Sequence, residues 1–211
     1  MNKERLHRSA EDFTQEKDWD FEGITVLRAS VVLPQFEGRR ARRLNRYYRR
    51  FAQSFLKYCE SELYPRAAAL CAEKMSVSAP WSTSRATLSY TVTREDGEIL
   101  SLFADAAEEN LPPRLTLRRA DTWELKTALP LPLFSLLPKG ECRRALQAAA
   151  REKAERGEIT RENYRRALRV HFSSRNFYLT SEGLCIFYQM HALGPDIVAF
   201  HLPLEQPFTD S

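Results

Sequence analysis

Three groups of residues in this 211-residue chain have types and spacings that could do chemistry. The first is acidic. Asp105, Glu108 and Glu109 follow an apolar run, and two carboxylates flanking a glycosidic bond supply the acid and base of glycoside hydrolysis. Acids at a strand end more commonly solvate a loop, so catalysis is the minor reading. The second group is basic. "RRARRLNRYYRR" interleaves arginine with tyrosine, and on one surface such residues hold phosphates and stack bases. A helical projection at about 100° per residue separates them. Tyr47, Tyr48, Phe51 and Phe55 fall with Leu44, whereas Arg42, Arg43, Arg46, Arg49 and Arg50 take the opposite half. The tyrosines are therefore expected in the core, which disfavours nucleic acid. The arginines form a solvated stripe and a candidate basic patch for an acidic partner. Cations at the start of a helix oppose its macrodipole, a local cost that favours a use for them. The third group is His7, His171, His191 and His201. No two have the spacing that sets metal ligands on one helical face. His201, among apolar neighbours in an expected strand, reads as a satisfied structural histidine. His191 lies where a strand passes into a loop, a position suited to function.

Other chemistry lacks its motif. There is no G-x-S-x-G elbow, and only 7 glycines occur, which argues against a dinucleotide-binding fold. Cys59, Cys71, Cys142 and Cys185 form no C-x-x-C pair, so a zinc site is disfavoured and buried, reduced thiols are expected. No metal or cofactor is expected. Hydrophobic content of 43% and charged content of 28% exclude a disordered chain. A net charge of +4 is only a mild basic excess. No apolar run is long enough to cross a bilayer, and the N-terminal stretch is polar throughout. As written, the chain is expected in the cytoplasm.

The elements that must position these residues can be read from periodicity. Residues 1–20 read as a polar lead-in. "GITVLRASVVLP" is a β-branched strand ending at Pro34. Glu37 to Leu63 is a long helix, with Pro65 kinking it or opening a second one. "SRATLSYTVT" and "EILSLFADA" alternate around a Glu95-Asp96-Gly97 turn. "PRLTLRRADTWELKTA" offers a strand pair around Ala120–Asp121, and the proline-spaced "LPLPLFSLLPKG" an apolar connection. "ECRRALQAAAREKAERG" is a helix with Cys142, Ala145, Leu146 and Ala149 on its apolar side and Gly157 as its C-terminal cap. A second late helix follows, with Thr160 as a candidate N-cap. Arg175 to Tyr188 is a hairpin turning at Ser181-Glu182-Gly183. Phe177 and Leu179 should be buried and Tyr178 and Thr180 presented on the other face. The loop Gln189 to Asp196 follows, and "DIVAFHLPL" supplies a last strand. The whole is an α+β chain of mostly antiparallel sheets packed with one long N-terminal helix and two later helices. Residues 21–205 read as one domain, with a division into sub-lobes near 112 and a tail at 206–211.

"NFYLTSEGLCIFYQMHALGP" resembles the C-terminal signature of a bacterial domain of unknown function. That domain forms the extracellular part of RsiV-type, lysozyme-sensing anti-sigma factors and accompanies the deacetylase domain of PdaC-type peptidoglycan deacetylases. Phe177, Tyr178, Leu179, Thr180, Glu182, Gly183, Leu184, Phe187, Tyr188 and Pro195 carry the match. The order of elements agrees over residues 20 to 205. The loop departs from the family's Tyr-Glu-Ile-Ala-Pro-Tyr-Ala-x-Gly-like run, having neither the Tyr-Glu pair nor a Gly after the Pro. The resemblance implies the fold and an extracellular, non-catalytic binding or sensing role toward a protein or cell-wall-derived ligand. The candidate contact is the hairpin and its loop: Tyr178, His191, Gly194, Pro195 and Asp196.

Overall fold

The computed structural model describes residues 5–160 and 162–204. The expected tail at 206–211 lies outside the described residues, as do the first four of the lead-in. Among the described residues, eleven strands and five α-helices follow one another: β1 (His7–Arg8), β2 (Phe13–Phe21), β3 (Ile24–Leu33), β4 (Phe36–Glu37), α1 (Ala41–Tyr58), α2 (Tyr64–Ser76), β5 (Ser84–Glu95), β6 (Ile99–Glu109), β7 (Thr116–Glu124), β8 (Leu129–Pro130), α3 (Leu133–Leu136), α4 (Lys139–Glu155), α5 (Tyr164–Val170), β9 (Phe177–Leu179), β10 (Leu184–Tyr188) and β11 (Val198–Leu202). Hydrogen-bonded strand order is β2-β3-β5-β6-β7-β8 in one sheet and β11-β10-β9 in a second, with β1 pairing β4 in a two-stranded ribbon. The α+β class stands. The β1–β4, β2–β3, β7–β8, β9–β10 and β10–β11 ladders are antiparallel, and the β3–β5 ladder is parallel.

The chain forms two compact units. Of the described residues, the first takes those up to Tyr90 and adds Ala104–Leu117, and the second takes Thr91–Phe103 and those from Arg118 onward. The units are not divided at a single point: β5, β6 and β7 each give residues to both.

In the first unit, the stretch read as a lead-in contains β2, which runs antiparallel to β3 from Phe13↔Leu33 to Phe21↔Ile24. Glu22 and Gly23 both have positive φ, 51° and 79°, the geometry of the hairpin turn that matches strand twist. The chain then leaves β3, passes through α1 and α2, and returns as β5 parallel to β3, with Leu27↔Ser84 and Val31↔Leu88 in register. A parallel return needs such a helical crossover. The expected break before Pro65 takes the form of one π turn, Cys59–Leu63, after which Pro65 occupies the first turn of α2. There its missing N–H costs nothing. The apolar stripe of α1 is buried at Leu44, Tyr48, Ala52, Phe55 and Leu56. Tyr48 stacks on Phe36 at 5.7 Å, while Tyr47 and Phe51 are half-buried.

In the second unit, Ala120–Asp121 is the middle of the single strand β7, not a turn between two strands. The apolar connection begins as β8, whose Pro130 opposes Trp123, and ends in α3. Gly157 caps α4 as expected. It has φ +76°, and the N–H groups of Gly157 and Glu158 donate to the carbonyls of Ala154 and Lys153, a Schellman closure. Thr160 does not cap α5. That helix starts at Tyr164 after a left-handed Asn163, and the Thr160 N–H donates to Leu193.

Candidate functional site

The hairpin that carries the sequence signature turns where expected. β9 and β10 pair from Leu179↔Leu184 to Phe177↔Ile186, and the Thr180 N–H donates to the Gly183 carbonyl at 2.8 Å. Gly183 has φ +148°, and a Cβ there would stand 2.5 Å from the Leu202 carbonyl oxygen, so the close approach of the final strand requires glycine.

The presented face does not exist. All five residues of β10 are buried, because this sheet is covered on both sides. Phe177, Leu179, Leu184, Ile186 and Tyr188 join one core cluster. Tyr178, Cys185 and Phe187 join another with Ala120, against which Phe103 packs. Tyr178 is 6% exposed and lies 5.1 Å from the Phe103 ring. It is withdrawn as a contact residue. His201 is corrected the other way: it is exposed on β11 although its register partner Cys185 is buried.

The loop between β10 and β11 is ordered by its own residues. The Gln189 side chain reads the backbone of Arg118 on β7, accepting from its N–H at 3.0 Å and donating to its carbonyl at 2.5 Å. The Arg118 guanidinium in turn lies 3.8 Å over the Phe103 ring. Leu193 is 4% exposed and plugs the loop into the core cluster. The His191 N–H donates to the Gly194 carbonyl at 2.8 Å, and His191 adopts φ +65°. These bonds leave His191, Pro195 and Asp196 exposed and Gly194 half-buried.

The arginine stripe is also exposed. Arg42, Arg43, Arg46, Arg49 and Arg50 all face solvent on α1. The first turn of the helix holds no acid and its N-cap makes no side-chain bond. Arg49 lies over the Phe13 ring at 5.9 Å. Tyr48, buried among core residues, cannot stack on a ligand held by these cations.

The acidic group belongs to a strand and not to a loop. Asp105, Glu108 and Glu109 all lie in β6. Asp105 and Glu109 share a face but stand four residues apart, about 13 Å along a strand, too far to flank one bond. Glu108 points the other way and is 4% exposed. It accepts from the Tyr58 hydroxyl at 2.7 Å and from Arg66 Nη1 at 3.5 Å. Burial, and then this carboxylate, push the Tyr58 hydroxyl up to about 12, and the same two causes push the Cys59 thiol up to about 12. The Glu108–Tyr58–Arg66 cluster was not anticipated. Its signal was present: continuing the alternation of Leu100, Leu102 and Ala104 puts Glu108 on the buried face. All four cysteines are free and buried, and burial raises the thiols of Cys142 and Cys185. Such thiols stay protonated at neutral pH and are poor nucleophiles and ligands. Among the described residues, no three His, Cys, Asp or Glu side chains gather around a common point.

No family model matches this sequence, and no curated protein matches it. Solved structures do. A DUF3298 family member from Bacteroides fragilis superposes with a TM-score of 0.57 over 96% of this chain and 92% of its own, at 12% identity. This chain has the DUF3298 fold. A second DUF3298 protein, from Pseudomonas aeruginosa, gives a TM-score of 0.53 over 94% and 89% of the two chains, at 11% identity. DUF3298 names a domain of unknown function, and at these identities the architecture is what is shared; no site residue carries over. Among the described residues of this DUF3298-like chain, no helix is long and apolar enough to cross a membrane.

Proposed function

We propose that the chain is a non-catalytic binding or sensing module for a protein or a cell-envelope-derived ligand, engaged through the loop between β10 and β11. One observation carries the reading. The exposed residues His191, Pro195 and Asp196 sit on a loop fixed by the Gln189 clamp and the Leu193 plug, next to a strand buried on both faces. A contact surface held this firmly loses little entropy on binding. The likeness of the hairpin sequence to the ectodomains of RsiV-type anti-sigma factors and to the accessory domain of PdaC-type deacetylases supports the same role, and with it an extracellular setting in place of the cytoplasm. The test is binding of the immobilised chain to a C-type lysozyme and to purified peptidoglycan fragments. Saturable binding should weaken about tenfold in His191→Glu at an unchanged melting temperature. Absence of binding to both probes, or indifference to the substitution, overturns the proposal.

A second reading is favoured by the arginine stripe. Five exposed cations without an acid in their helix's first turn suit an acidic protein surface, and the Phe13 ring beside them already lies under Arg49. Binding that survives His191→Glu but is lost in Arg43→Glu with Arg50→Glu would select this reading. The glycan-hydrolysing alternative has less support, since Asp105 and Glu109 stand four residues apart along β6.

A further inference from the structure

A groove in the second unit is built from α3, α4, α5 and the segment after α5. On α4, Lys139, Arg143, Gln147 and Arg151 recur every four residues, which sets them on one face. On α5, Arg165 and Arg169 have the same spacing. The two rows line adjoining cavities that share Gln147 and Arg165, one of about 360 Å³ and one of about 410 Å³. The smaller has an apolar floor. Leu146 and Leu168 are each 5% exposed, and the Phe134 and Phe172 rings stack with centroids 6.5 Å apart. Phe134 remains 40% exposed. The rim is cationic: Lys139, Arg143, Arg165 and Arg169, with no acid among the described lining residues. The walls are fixed, because the buried Tyr188 hydroxyl donates to the Leu168 carbonyl at 2.9 Å and ties α5 to β10.

We propose that this groove binds a small anionic amphiphile, one carboxylate or phosphate headgroup on an acyl or aromatic body. The proposal goes beyond the partner-binding reading and uses none of its residues. Charge complementarity selects an anion. The floor selects a body that buries apolar surface, which a bare anion lacks. The size, at the small end of ligand cavities, selects a small molecule over a peptide helix or a nucleic acid. Arginine forks at the rim match carboxylate and phosphate geometry.

The experiment is calorimetric titration of the full chain with sodium decanoate below its micelle concentration, beside decyltrimethylammonium and inorganic phosphate. Decanoate should bind saturably at one per chain, and the two comparison probes should not. Arg143→Glu with Arg169→Glu should weaken decanoate at least tenfold at an unchanged melting temperature, and Phe134→Ala should weaken it severalfold. Should the charge reversals unfold the chain, Arg143→Gln with Arg169→Gln provides the same readout. Equal binding of the cationic amphiphile, equal binding of bare phosphate, or decanoate binding untouched by either double substitution overturns the proposal. So does the absence of decanoate binding.

Discussion

Replacing Glu108 by alanine should lower the stability of the fold by about 2–5 kcal/mol. The Tyr58 hydroxyl gives the carboxylate a hydrogen bond of 2.7 Å, and a bond to a charged group contributes about 1.5–3 kcal/mol. Arg66 adds less. Its side chain is 37% exposed and also donates to the Pro112 carbonyl at 2.9 Å, so water and that carbonyl satisfy it once Glu108 is gone. The pair contributes at most about 1 kcal/mol. The one lost methylene, in a residue 4% exposed, accounts for about 0.8 kcal/mol. Urea unfolding followed by far-UV circular dichroism reads the difference. A loss below about 1 kcal/mol would refute the reasoning, as would a cycle of Glu108→Ala with Tyr58→Phe in which the two losses simply add. The cluster also makes a pH prediction. The Tyr58 hydroxyl is raised in the folded state to about 12 by burial and by Glu108. Its neutral form is therefore stabilised by folding. That stability is fully present below the unfolded value of about 10 and is lost as pH rises through about 12. In Glu108→Gln, ultraviolet titration should show one tyrosine ionising at lower pH than in the parent chain.

Further substitutions probe the frame. Gly183→Ala should destabilise by at least about 1–3 kcal/mol, read by thermal melting, because its Cβ meets backbone of the last strand; a neutral result would refute the close approach. Tyr48→Ala should cost about 3–5 kcal/mol and Phe51→Ala distinctly less, since Tyr48 is 1% exposed and Phe51 only half-buried; the reverse order in chemical denaturation would overturn the packing of α1. Thiol titration of the chain unfolded without reductant should find four thiols per molecule, matching the free cysteines, and a smaller number would reveal a disulfide.

How far the residues announced this structure depended on what their neighbours would cover. The stripe of α1 was legible because a period near 3.6 survives any packing partner. The β9–β10 turn was legible because glycine marks a backbone requirement that is local. Tyr178 was misread because alternation tells which residues share a face and not whether both faces are covered. Antiparallel sheets commonly leave one face to water, and this one does not. β2 was missed for a different reason. Its "FTQEKDWDF" is mostly polar, and what holds it is the backbone ladder to the apolar β3 and cross-strand pairs such as Asp18 with Arg28 at 2.9 Å. Glu108 hid because a carboxylate on a buried parity reads as the end of a strand until a tyrosine and an arginine from other elements are known to meet it. The basic rows of the groove hid because they belong to two helices that only the fold brings together.

The path of the chain through its two units bears on how the molecule is made. The first unit is complete only when Leu117 has been synthesised, and the second uses Thr91–Phe103 long before its own sheet at 177–202 exists. During translation, which proceeds from the N-terminus, strand residues of the second unit must wait, without the partners of their final core, while some seventy or more further residues are added. A single proteolytic nick cannot release both units whole, and a gene cut at any one codon leaves at least one unit without a segment it needs.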